Sequence, residues 1–66
     1  MKLKIGDIVR PDYPNYHPLY KKYWRISSIF YSGGIMMCNL ENNNNERSEY
    51  PSRWLIKIIK PNYLNE

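Results

Sequence analysis

The 66 residues carry ten Lys and Arg against six Asp and Glu, a formal net charge of +4, and 15% of them are aromatic. A chain of about 60 residues buries only roughly 60% of the surface it exposes when unfolded, so one small domain with little stability to spare is expected. One cysteine, Cys38, excludes an intramolecular disulfide, and with a single histidine, His17, it cannot furnish a four-ligand zinc site.

The first strand is predicted over Ile5 to Arg10. Gly6 permits a bend at its start, and Ile8 is its expected core anchor. Residues 11–22 contain Pro11, Pro14 and Pro18, a spacing that forbids a central strand or a regular helix. A long first loop follows from that. Tyr23 to Tyr31 is rich in aromatic and β-branched residues and reads as the second strand. Trp24 and Ile26 share one face, with Tyr23, Arg25 and Ser27 on the other. Ile29 is out of phase with Ile26, which predicts a bulge near Ser27 and Ser28.

Ser32-Gly33-Gly34 is a tight hairpin turn, because glycine supplies the positive φ that such turns require. Ile35 to Leu40 forms the third strand, with Met36, Cys38 and Leu40 on one face. Glu41 to Glu46 holds four consecutive asparagines, from which no core can be built, and is a solvated loop tip. Arg47 to Tyr50 is a short fourth strand. Pro51 to Trp54 makes a single helical turn into a last strand over Leu55 to Lys60. Pro61 ends that strand, and residues 62–66 form a tail. The fold class is therefore all-β, a five-stranded SH3-like small barrel occupying residues 1–61, with a long first loop and a helical turn before the last strand.

Gly6-Asp7-Ile8-Val9, Trp24 to Ile29, Gly33-Gly34, Cys38 and Tyr50-Pro51-Ser52-Arg53-Trp54-Leu55 together resemble the short YodC-like bacterial proteins. The resemblance covers about residues 4–58 and implies the barrel fold. The segment 11–22 is longer than that pattern expects. KOW and Tudor-type barrels resemble the chain more distantly through the same Gly-Asp opening, and imply binding of nucleic acid or protein tails. The opening is also similar to that of MazF-type toxin ribonucleases, whose further helices and strands have no counterpart here.

Nothing in the pattern points to an active site. His17 lies between Tyr16 and Pro18 with no acid at a diagnostic spacing, and Gly33-Gly34 lacks the helix and lysine of a phosphate loop. Cys38 is expected to be an inert core thiol, and Asp7 to serve the turn into the first strand. The chain reads as a non-enzyme with no cofactor, metal or small-molecule substrate. Met1 to Asp7 contains no apolar run of the signal-peptide kind, and no stretch approaches the roughly 20 apolar residues of a membrane helix. A cytoplasmic location is the expectation, with no membrane partner.

The charge is unevenly spread. Residues 1–33 hold six basic groups against Asp7 and Asp12, whereas basic and acidic groups balance in residues 34–66. Such asymmetry attracts anionic partners. The candidate binding residues are Arg10, Tyr13, Tyr16, Tyr20, Lys21, Lys22, Tyr23 and Arg25, where aromatics interleave with cations. Tyrosines there can stack bases at about 1–3 kcal/mol each while lysines neutralise phosphates. Ile, Asn, Tyr and Lys make up 29 of the 66 residues, and all have AT-rich codons, so abundance of tyrosine alone does not mark a stacking surface. Nucleic-acid binding through this first loop is the leading expectation. The alternative is a protein-binding adaptor or small regulatory subunit, including a phage-encoded inhibitor, since Tyr, Trp and Arg are the usual interface anchors.

Overall fold

The computed structural model describes residues 3–58. Five strands form one antiparallel sheet: β1 (Ile8–Pro11), β2 (Trp24–Ser32), β3 (Ile35–Glu41), β4 (Arg47–Pro51) and β5 (Leu55–Lys57), with a 3-10 turn at Ser52–Trp54. The spatial order is β4-β3-β2-β1-β5. The protein is thus all-β, as the strand pattern predicts. The sheet remains open among the described residues, with β4 and β5 as its two edges.

The first strand begins later than its apolar residues suggest. Asp7 closes a turn on Lys4: its N–H donates to the Lys4 carbonyl at 3.1 Å, and its carboxylate accepts the Lys4 N–H at 3.0 Å. That turn takes up Ile5, which is exposed, and Gly6, at φ 96°. Ile26 then exchanges bonds with the turn, accepting from the Gly6 N–H and donating to the Asp7 carbonyl, each at 2.9 Å. Asp7 therefore serves the entry into β1.

Side-chain alternation from that starting point puts Val9 inward, opposite Trp24. Val9 is fully buried and belongs to the contiguous core with Leu3, Trp24, Ile26, Cys38 and Leu40. Ile8 is buried too, but it pairs with Arg25 and stands outside that cluster. Ile8 is thus buried as expected, and Val9 is the β1 residue that joins the contiguous core.

In β2 the bulge falls where the phase of Ile29 requires it. Ile26 pairs with Leu40 and Ser28 with Asn39, leaving Ser27 unpaired in the register. The extra residue returns Ile29 to the core side, opposite Cys38. Gly33 and Gly34, at φ 58° and 79°, make the two-residue turn into β3, where Cys38 and Leu40 are buried and Met36 packs against them. The last strand is described over Leu55–Lys57, and the Ile58 N–H extends its ladder to the Ile8 carbonyl at 2.8 Å. The remainder of the predicted last strand, Pro61 and the tail lie outside the described residues.

Candidate functional site

The first loop is irregular, as its prolines demand, but not unstructured. Three overlapping turns run through it, with the N–H groups of His17, Tyr20 and Lys22 donating to the carbonyls of Pro14, His17 and Leu19. The start of the loop is fastened beside the adjacent strand β5 by the Asp12 N–H, which donates to the Trp54 carbonyl at 2.8 Å. That bond brings the start of the loop against the 3-10 turn.

The result is a small cleft lined by Pro11, Asp12, Tyr13, Tyr50, Arg53 and Trp54, with a volume of about 200 Å³. Each ring in it is held. The Tyr13 and Tyr50 hydroxyls share a hydrogen bond at 3.0 Å. Behind it, His17 stacks on Tyr13 with ring centres 4.0 Å apart and planes 7° from parallel. His17 is itself oriented, since its Nδ1 accepts the Leu19 N–H at 3.0 Å. Tyr50 lies 6.4 Å from the Trp54 ring at a 56° tilt. Trp54 leaves 54% of its surface exposed. The hydrogen bond from Tyr13, with burial as a second cause, raises the Tyr50 pKa above its ordinary value.

Of the eight residues singled out in the sequence, Tyr13 lines this cleft and Lys22, Tyr23 and Arg25 line a second recess. Arg10 lies 4.6 Å over the Tyr20 ring, so these two groups occupy each other. Lys22 pairs with Glu46 at 2.8 Å and sits 5.3 Å from the Trp24 ring centre. Arg25 pairs with Glu41, also at 2.8 Å. The hydrogen bonds that Glu46 accepts from Lys22 and Asn42 hold its carboxyl below the usual range. Tyr23 is half-buried and lines the second recess with Lys22, Trp24, Arg25, Glu41 and the asparagine loop. Tyr16, 85% exposed, and Lys21 project to solvent.

The basic first half and the balanced second half thus meet in the fold. Glu41 and Glu46 come from the second half and partner two of the cations assigned to a phosphate-binding surface. Lys57, in turn, approaches the buried Asp7 carboxylate at 3.6 Å.

Tyr50, Arg53 and Trp54 belong to the cleft and were not singled out by sequence. Their signal lies in the turn: a Trp between Arg53 and Leu55, on one helical turn after a proline, has no periodic apolar partner to bury it. Cys38 is fully buried and its thiol pKa is raised by that burial, which fits an unreactive core residue. No family model, curated protein or solved structure matches this chain.

Proposed function

We propose that this protein is a cytoplasmic, non-enzymatic SH3-like binding module that takes an extended segment of a partner protein across the cleft of Tyr13, Tyr50 and Trp54. The observation that carries this reading is the half-exposed Trp54 beside Arg53, on a floor of pre-oriented tyrosines. Trp, Tyr and Arg are the residues that dominate protein interfaces. Rings already fixed by stacking and hydrogen bonding lose little further entropy when a partner docks. The cleft volume of about 200 Å³ is below the range of about 300–1,000 Å³ usual for small-molecule sites and suits one or two side chains. Arg53 at its rim favours an acidic neighbour in the bound segment.

The nucleic-acid reading draws on the same loop, but Lys22 and Arg25 are engaged by acids, and Arg10 and Tyr20 by each other. Lys21, near the end of the loop, is exposed.

A displayed random-peptide library separates the two. Peptides carrying an apolar anchor beside an acid are expected to be enriched, and Trp54→Ala is expected to weaken them by about thirtyfold, a hot-spot loss of about 2 kcal/mol. Because Trp54 is outside the core, the variant keeps its circular dichroism spectrum. Enrichment that survives Trp54→Ala, or no enrichment at all, rejects the cleft. Oligonucleotide binding that falls with salt at a slope near −0.7 per phosphate and is lost in Lys21→Glu would establish the nucleic-acid reading instead.

A further inference from the structure

The β4 edge carries a pair of charges that the other described residues leave unused. Arg47 and Glu49 are both exposed, two residues apart on the outward face of the strand. Neither has an ionic partner among the described residues. Glu41, which lies directly across from Arg47, is taken by Arg25 from the other side. Glu49 lies opposite Asn39, whose amide donates to the Ser28 hydroxyl at 2.8 Å. The outward face thus reads as two rows running toward the edge, Arg25-Glu41-Arg47 and Ser28-Asn39-Glu49. The first ends in a positive charge and the second in a negative one.

The backbone at this edge is defined by the same register. The Asn42 N–H donates to the Glu46 carbonyl at 3.2 Å, so the pairs at Leu40–Ser48 and Cys38–Tyr50 are the next hydrogen-bonded ones along the ladder. Ser48 and Tyr50 therefore direct their N–H and C=O groups to β3. Arg47, Glu49 and Pro51 direct theirs outward, and the proline occupies a position whose missing donor would face away from the sheet.

We propose that the β4 edge is an interaction surface for a second copy of this chain, joined antiparallel about a two-fold axis through Ser48. Only residues with outward backbone groups can form the hydrogen-bonded pairs, which leaves registers centred at each residue from Arg47 to Pro51. The centres at Tyr50 and Pro51 set the donorless proline against Glu49 or against itself, so neither makes a fully bonded pair. A centre at Arg47 sets arginine against arginine. A centre at Glu49 sets glutamate against glutamate and Arg47 against the donorless Pro51. The centre at Ser48 pairs Arg47 of each copy with Glu49 of the other, with both backbone bonds of each pair intact. It is the register in which both rows continue with alternating charge into the neighbour, whereas like charges directly opposite oppose the centres at Arg47 and Glu49. The two five-stranded sheets then form one continuous sheet of ten strands. The contact is one short strand deep, so the dimer is weak and reversible rather than obligate.

Sedimentation velocity at rising concentration reads this directly. Reversible dimerisation is expected at concentrations up to about 1 mM, together with slowed amide exchange at Arg47 and Glu49. Arg47→Glu and Glu49→Arg each place like charges in both pairs and are expected to weaken dimerisation about tenfold or more. An equimolar mixture of those two variants is expected to form heterodimers, and R47E/E49R in one chain to recover self-association. Both substituted positions are exposed, and an unchanged circular dichroism spectrum shows that the variants fold. A wild-type protein that stays monomeric at the highest concentration overturns the proposal. So does a dimer unaffected by either single variant, or one that the mixture and the double variant fail to restore.

Discussion

The Tyr13 and Tyr50 hydroxyls meet at 3.0 Å, and a bond between two phenols requires at least one of them to keep its proton. Holding that bond raises the Tyr50 pKa, with burial acting in the same direction. For an acid whose folded pKa is raised, the stabilisation is fully present below the unfolded value of about 10 and is lost as pH climbs through the folded value. The cleft floor is therefore expected to loosen only in strong alkali. Site-resolved NMR titration of the tyrosine rings should find Tyr50 ionising at higher pH than it does in a Tyr13→Phe variant. Equal titration in the two proteins would mean that the hydroxyls do not share a proton.

The turns are set by backbone conformation more than by space. Gly33 and Gly34 have positive φ, and a Cβ added at either would meet nothing within 4 Å. Gly34→Val is thus expected to cost about 1–2 kcal/mol through the left-handed backbone alone. Gly33→Asn should cost much less, since Asn45 already adopts φ 63° in the next hairpin. A urea titration that ranks the two variants equally would remove backbone conformation as the cause. That next hairpin also shows where sequence reading stops. Four asparagines mark a solvated tip, but they do not reveal that the Asn42 Oδ1 accepts both the Asn44 and Glu46 N–H groups and so builds the turn. The strands of β2 and β3 were legible because alternation, the phase of Ile29 and the Gly-Gly pair all report on local geometry. The start of β1 was not, because Ile5 and Ile8 look alike in composition and only the Asp7 turn tells them apart. The cleft was half legible for a similar reason. Tyr13 stood in a conspicuous segment, whereas Tyr50 and Trp54 reach it through the bond from Asp12 to a carbonyl more than forty positions away.

At the scale of the molecule, one core of Leu3, Val9, Trp24, Ile26, Cys38 and Leu40 joins β1, β2 and β3, and Tyr50 of β4 and Leu55 of β5 pack against it. Cores in chains this small seldom supply more than about 3–5 kcal/mol, and Trp→Ala in a core costs about 3–5 kcal/mol. Trp24→Ala is accordingly expected to leave no folded population, seen as loss of the far-ultraviolet β signal; a cooperative thermal transition in that variant would mean the core is elsewhere. The ion pairs of Lys22 with Glu46 and of Arg25 with Glu41 join the basic first half of the chain to the acids of the second. The strand order has a kinetic consequence of its own. β2, β3 and β4 are joined by tight turns and can zip as they emerge, but β1 waits for β5, which pairs with it from the opposite end of the described chain. Closing so long a loop must precede the contacts that reward it, and such non-local pairing slows folding. Until Trp54 to Lys57 arrives, the nascent protein exposes one side of β1 and lacks the carbonyl that anchors the first loop, so the cleft is the last part of the described fold to form.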